Sequence, residues 1–513
     1  MPWSTPFRQA LKNPGIVTNL PSTEVSWSIG RNIRFKPGAV YKTFGKSVLA
    51  TLESPSAIRE SYTFRGWDGT LRTVICCDTK IYAYKTDFTV IEDITPTSQP
   101  TSGADDVWQF AVVAGALVIT NGVDTPWVWG DYDNPVQVLA GAPSRVKALT
   151  TSMGRLMVGN IVDGGYEFIG RVKWSEPGNP PNFTIDLNQK SGKADLINAN
   201  TGISSQEAVQ VFGQTGIRKI VFTDRNIWTG DPNESIFDYT WRIPPSGEGV
   251  VLVSPRCSVN VQGINYIMGT DDFYKIEEGV VQPIGFPIRN VVFPNLNKER
   301  ITRAFAFYKP STKEIYWCYP TGTSQYPDTA AILNLEAKNW SFEDVDYLCH
   351  TYAWKQTAFS WDTIPYTSWN DITESRWDYL SNTGMIPYEI AGNASGEVLK
   401  LDDGYNNKGT AIQGYIETGD ICRADAKLAI LQVAPFLKPQ SQRNALYIQI
   451  GARESLHHHI FWSRPKPLAI GIDSEIDCFW KGAYVRFRFY TDQTDSPWIM
   501  EGFKYFWNAI GGR

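Results

Sequence analysis

Histidine is scarce in this chain, and so are the features that would commit it to a membrane or to tight nucleic-acid binding. Four histidines in 513 residues leave imidazole catalysis little to draw on. No apolar run approaches the roughly 20 residues needed to cross a bilayer. The opening MPWSTPFRQALKNPG has no apolar core of the secretory kind. A soluble chain made and kept in a cytoplasm, with no membrane anchor, is the expectation. Positive charge is not in excess either: 48 basic against 53 acidic residues give a net charge of −5. That balance argues against tight phosphate gripping by the chain as a whole, although not against DNA sliding past a mildly acidic wall. The seven cysteines are odd in number and lack a framework spacing, which favours reduced, structural thiols. Cys76 and Cys77 are adjacent, so on a strand they point to opposite faces. Windows that sustain a 3.6-residue apolar period without Gly or Pro are few, so little helix is expected.

What the chain has instead is wide rings and turns. Aromatic residues make up 13% of it, and 42 glycines and 31 prolines are scattered along its length. Aromatics suit half-buried sheets, where they pack across strands, and dispersed Gly and Pro mark many turns. The stretch CCDTKIYAYKTDFTVIEDI reads as a strand, a tight polar turn and a second strand. The pattern recurs as DTKIY, DTPWV, DRNIW, TDDFY and TKEIY, with GRVKW as a weaker member. Taking the fourth position of each gives Ile81, Trp127, Lys173, Ile227, Phe273 and Ile315, at gaps of 46, 46, 54, 46 and 42 residues, with a seventh expected near Trp354. A period in the forties with several short strands per unit is that of a β-propeller blade. A β-sandwich, which also has short strands at regular spacing, is the competing all-β reading.

The fold class expected is therefore all-β: a propeller of six to eight blades over residues 50–390, preceded by a segment 1–49. Counted at about 45 residues each, seven blades fit. ALVITNGVDTPW carries the Asn-Gly signal of a hairpin turn. Past residue 390 the character changes, with GNASGEVLKLDDGYNNKG marking a boundary. ALYIQIGAR and AYVRFRFY then alternate cleanly, the latter with Arg486 and Arg488 on one face. A second, sandwich-like β domain over 391–513 is expected.

Several stretches imitate chemistry. His457, His458 and His459 are consecutive; on a strand two of them would share a face, but no carboxylate or thiol stands close in sequence to complete a metal set. LDDGYNNKG (401–409) lacks the alternating oxygen ligands and closing Glu of a calcium loop. Asp105-Asp106, Asp271-Asp272 and Asp402-Asp403 read as turn residues rather than as the paired acids of a glycosidase. SEPGNPPNF (175–183) only loosely echoes the Asp-box turn of sialidase propellers. No nucleophile elbow or phosphate-cradling Gly loop occurs. No catalytic, cofactor-binding or metal-ligating residue is assigned, and the expectation is a protein that is not an enzyme.

The order of these segments resembles the tail nozzle, or packaged-DNA stabilisation, proteins of short-tailed bacteriophages. The likeness lies in Gly15-Ile16, in Asn32-Ile33-Arg34-Phe35 with Gly38, and in TNGVDTPW and RVKWSEPGNPPNF. It extends through GINYIMGTDDFYKIEEGVVQPIG to the ending VRFRFYTDQTDSPWIMEGFKYFWNAIGGR. Asn19 stands where that family would have Asp. The resemblance implies a structural virion protein assembled in the bacterial host cytoplasm. It implies a hexameric ring beneath the portal and head-to-tail adaptor proteins, with tail fibres or spikes on its outside. Packaged double-stranded DNA would be retained in the channel without sequence preference and released on ejection. The alternative is a tail-associated propeller that binds or degrades glycans. Gly-rich and polar turns are the candidates for the channel gate, among them SGKADLINANTGISSQ (191–206), in the longest gap between markers.

Overall fold

A computed structural model of the chain describes residues 3–4, 16–17, 27–36, 38–53, 56–85, 88, 91–185, 191–198, 205–215, 218–233, 238–357, 384–422, 426–439 and 444–512. Its largest part is a ring of seven antiparallel sheets. In sequence order their first strands are Glu60–Arg65, Gln109–Val113, Arg145–Ser152, Val209–Thr215, Ser258–Val261, Phe305–Lys309 and Cys349–Thr357. Each of the first six sheets continues through three more strands in chain order, the meander of a propeller blade. First strands of neighbouring blades touch one another, so they form the inner wall around the axis. Apolar clusters fill every seam between successive blades, including the seam between blades seven and one. The ring is closed, and the fold is a seven-bladed β-propeller.

The marker residues explain why the pattern repeats. Ile81, Trp127, Ile227 and Phe273 each begin the third strand of a blade and are at most 1% exposed. Trp127 stacks on Trp108 at 6.1 Å in the seam between blades one and two, an arrangement worth about 0.5–1.5 kcal/mol beyond area burial. Lys173 lies on a third strand too, near its end. Ile315 does not: it sits on the second strand of blade six, and Trp354 on the first strand of blade seven. The motif records a polar turn followed by an apolar-aromatic strand, and blade six offers that chemistry one hairpin earlier. Cys76 and Cys77 do face opposite ways, one into the seam with blade two and the other into the seam with blade seven. All seven cysteines are free thiols.

Turn chemistry follows the backbone. In Ala114-Gly115, Met153-Gly154, Gln262-Gly263 and Glu278-Gly279 both residues have positive φ, the type I′ geometry that matches strand twist. Asn121-Gly122 is used differently. It opens a longer connection in which the Asn121 side chain accepts the amides of Val123 and Asp124.

Blade seven is assembled from both sides of the propeller sequence. Its strands are Cys349–Thr357, Gly384–Gly392, Glu397–Leu401 and, fourth, Lys46–Thr51, with the short strands Asn406–Asn407 and Thr410–Ala411 added beyond it. Lys46–Thr51, which runs across the expected boundary at 49/50, and Glu397–Leu401, past the one at 390/391, thus share one sheet. The strands before them behave likewise. Trp27–Arg31 pairs with Gly414–Thr418 in one sheet, and Ala39–Lys42 pairs with Ile499–Gly512 in another. These two sheets face each other as a sandwich around Phe487, Phe489, Phe503 and Tyr505. The expected alternation holds: Val485, Phe487 and Phe489 point inward, leaving Arg486 and Arg488 on the other face. The sandwich core runs without a break into the seam between blades five and six, through Phe273, Trp317 and Trp340. Among the described residues no helix is long and apolar enough to cross a membrane.

Candidate functional site

In a propeller the axis is the natural place for a site, because seven inner strands present free backbone edges to it. Here one end of the axis is closed by charge. Arg256, leading into blade five, forms an ion pair at 2.7 Å with Glu60 of blade one. The same guanidinium donates to the Leu348 carbonyl, before blade seven, at 2.6 Å. Arg303, leading into blade six, grips Asp105 with a 2.7 Å bond from Nε. Asp105 belongs to the connection between blades one and two, so both contacts reach across the ring. Arg59 and Arg303 lie against the Tyr326 ring. The space left among these residues is about 20 Å³. Burial pushes the Glu60 carboxyl up from its ordinary value, against the pull of Arg256.

Further along the axis Gln109 ties three blades together. Its amide nitrogen donates to the carbonyls of Lys147 and Gln210, and its oxygen accepts the Leu149 amide at 3.1 Å. Those are unpaired edge groups of inner strands, which would cost free energy if left dry. At the opposite ends of the inner strands a cavity of about 420 Å³ lies among the tips of blades two, three and four.

The second notable region is the junction between propeller and sandwich. Arg34, on the sandwich strand Ile33–Lys36, is 1% exposed. It meets Asp402 at 3.1 Å, Glu343 at 3.3 Å and Glu314 at 3.9 Å. Lys309, whose side chain is also 1% exposed, reaches the same Asp402 at 2.9 Å. Burial opposes the Arg34 charge, but Asp402 and the two glutamates outweigh it and hold its pKa well above the ordinary value. Burial likewise opposes the Asp402 carboxylate, and Arg34 and Lys309 hold it well below its ordinary range. The network welds three strands of blade six, a loop of blade seven and the sandwich into one body. Beside it a cleft of about 560 Å³ lies between Ile29, Arg31, Tyr319 and Tyr415.

The stretches that imitate chemistry fall into place. Asp402, in the loop that resembles a calcium site, is the shared anion of this network, and Asp403 accepts bonds from Ser47 and Lys400. Asp106 accepts the Gly103 amide, Asp271 the Tyr274 hydroxyl, and Asp272 the amides of Phe273 and Gly285. Glu176 closes its own turn through Asn179 and Asn182. His457, His458 and His459 are exposed in a turn after the strand Ala445–Arg453 rather than on a strand. Among the described residues no three His, Cys, Asp or Glu side chains converge as a metal set. Of the expected gate, Gly192–Asp195 is the outer strand of blade three and Ile197–Asn198 pairs with Ser205–Gln206. Residues 199–204 lie outside the described residues.

Sequence reasoning missed Arg34, Arg256, Arg303 and Lys219, which lies on the strand Arg218–Thr223 and donates from its buried Nζ to the Thr151 carbonyl and Gln214 Oε1. The one local signal was a charged residue inside an apolar strand run, as in KIVFT, where a solvent-facing position would break the pattern.

No family model and no curated protein matches the chain. Among solved structures it is similar to dihydro-heme d1 dehydrogenase NirN in complex with DHE, at 10% identity over 69% of this chain and 68% of that one, with a TM-score of 0.35. The propeller assignment rests on the sheet order and the filled seams.

Proposed function

We propose that the protein is a structural component of a short-tailed phage virion, a nozzle subunit that retains packaged DNA beneath the portal and adaptor. The proposal starts from the sequence resemblance, and the observation that carries it further is the interlock. Both flanks of the propeller sequence contribute to the sandwich, the strand Lys46–Thr51 closes the ring, and the Arg34–Asp402–Lys309 network seals the junction. A subunit holding pressurised DNA must resist shear between its parts, and close-packed β interiors yield little. With its own axis closed at one end, each propeller is a wall element. The conduit is the space enclosed by a ring of copies, taken as six from the resemblance. Fixed positive charge along such a lumen would retard ejection, since each phosphate contact must be broken; a net charge of −5 suits low friction.

Electron microscopy of the purified protein and of virions tests this. A closed ring of copies on the tail axis is expected, and a monomer off that axis overturns the reading. One feature favours the glycan-binding alternative. Trp67 is 69% exposed, yet it is fixed by a 2.8 Å bond from its indole to Gly130 and by stacking on Tyr132. A ring held open in this way suits a sugar face. Retention on immobilised host polysaccharide, lost in Trp67→Ala, would favour it over the nozzle.

A further inference from the structure

We propose that the outer face of the sandwich binds a neutral oligosaccharide in a groove walled by Gln413, Tyr415, Glu417, Arg488, Tyr490 and Asp492. The groove has a volume of about 370 Å³, near the lower end of the range for small-ligand sites. It is built on three neighbouring strands of one sheet, Gly414–Thr418, Tyr484–Thr491 and Ala445–Arg453. Alternation sends Ile416, Phe487, Phe489 and Ile448 into the core, so the residues between them face outward. Two cross-strand rows result. In one, Tyr490 lies between Tyr415 and Tyr447; in the next, Arg488 lies between Glu417 and Gln449.

Both rows are fixed in place. Tyr490 stacks on Tyr447 with ring centroids 5.4 Å apart, and the Tyr447 hydroxyl accepts Gln493 Nε2 at 2.9 Å. Arg488 donates to Glu417 at 2.6 Å and to Gln449 Oε1 at 3.2 Å, and its guanidinium lies over the Trp462 ring at 3.9 Å. Gln449 in turn donates to the Ser463 carbonyl at 3.1 Å. An aromatic row beside a preorganised polar row offers a flat apolar surface for the C–H face of a sugar and directed bonds for its hydroxyls. The aromatic row crosses three strands, about 10 Å, enough for two pyranose rings. Asp492 and Gln413 also line the groove and are exposed. Among the described residues no hydrogen bond or ion pair engages the Asp492 carboxylate or the Gln413 side-chain amide. Glu417 and Arg488 cancel, so Asp492 leaves the lining with a net negative charge, which disfavours phosphate and other anions. A neutral, hydroxyl-rich ligand fits that balance, because a carboxylate accepts two hydroxyl protons at once. Tyr415 also walls the cleft of about 560 Å³ at the junction with the propeller, so the two hollows adjoin.

The site is separate from Trp67, which lies in blade one, and it does not rest on the nozzle reading. The test uses the full chain in isothermal titration. The probes are neutral hexasaccharides of α-linked glucose, β-linked glucose and β-linked N-acetylglucosamine, with sulfated dextran as the anionic reference. Saturable binding of at least one neutral probe is expected, with the sulfated polymer binding no better. Asp492→Ala and Gln413→Ala change exposed side chains outside the strands, so the fold is left intact. They should weaken binding roughly tenfold and roughly threefold, as expected for one lost charged and one lost neutral hydrogen bond. Trp67→Ala should leave the affinity unchanged. Binding of none of the three probes overturns the proposal, as does a preference for the sulfated polymer. So does an affinity that survives both groove variants, whether or not Trp67→Ala abolishes it.

Discussion

Replacing Asp402 with asparagine removes one negative charge and almost nothing else, so it isolates what the junction network contributes. Asp402 meets Lys309 at 2.9 Å and Arg34 at 3.1 Å, and both cations have side chains 1% exposed. Arg34 keeps Glu343 and Glu314 after the change, but Lys309 loses the carboxylate to which it is paired. At an effective dielectric near 20, each contact of ~3 Å carries about 5 kcal/mol of Coulomb energy, most of which desolvation takes back. Breaking a buried pair by removing one partner costs about 3–5 kcal/mol. The Asp402 side chain is 25% exposed, so water screens part of this and the expected loss is about 2–4 kcal/mol. Urea unfolding at pH 7 measures it as a lowered midpoint at an unchanged slope of the affected transition.

The pH dependence gives the same prediction a second edge. Arg34 and Lys309 hold the folded-state pKa of Asp402 below its ordinary value. Its stabilisation is therefore full above the unfolded pKa of about 3.9 and is lost as pH falls through the lower folded value. The gap between the native protein and Asp402→Asn should stay constant from pH 7 down to about 4 and narrow only below that. Pairing Asp402→Asn with Lys309→Met should recover part of the loss, because the stranded cation is then gone. A loss under about 1 kcal/mol, or no recovery in the double variant, refutes the buried-network account.

Three other perturbations test separate parts of the molecule. Lys219→Met removes an ammonium whose pKa burial lowers to about 8, so it should stabilise by about 1–2 kcal/mol at pH 7 after the lost hydrogen bonds are subtracted. That gain should fade as pH rises from about 8 to 10.5, where the unfolded chain also releases the proton. Burial holds the His350 imidazole below its ordinary value, with Glu389 at 2.5 Å and Asp402 opposing and Lys309 assisting. Stability should accordingly decline as pH falls below about 6.5, and His350→Gln should flatten that decline in thermal melts. Leu52, 2% exposed just past the strand that closes the ring, packs in the seam of blades seven and one. Leu52→Ala should cost about 2–5 kcal/mol and hasten proteolysis within blade seven.

The repeat was legible because its cause is local. A polar turn followed by Ile, Trp or Phe entering a seam is written in five consecutive residues, and each blade must write it again to bury its neighbour's face. The same locality limits it. Nothing in TKEIY says that its hairpin joins a first strand to a second, so the motif alone does not tell which strand of the blade Ile315 enters. The pairings that define blade seven and the sandwich were not legible at all. Lys46–Thr51 carries ordinary β-propensity, but its partner Glu397–Leu401 lies some 350 residues away, and propensity does not name a partner.

The junction network was illegible for a different reason, and it shows where sequence reading and structure part. Arg34 and Asp402 each look like surface residues, since charged side chains are almost never fully buried unless paired. What buries them is each other, together with Lys309, Glu314 and Glu343. The pairing exists only once a strand near the start of the chain is laid against blade six. Yet Arg34 falls inside Asn32-Ile33-Arg34-Phe35, a segment that carries the resemblance to nozzle proteins, and Asp402 falls inside the acidic loop set aside as a turn. Asn32 is part of the same contact: its side chain donates to Asp344 Oδ2 at 2.6 Å and accepts the Asp344 amide at 2.8 Å. A short motif at the beginning of the chain therefore does its structural work on the last strand of blade six. It marks the place where the sandwich is bolted to the propeller.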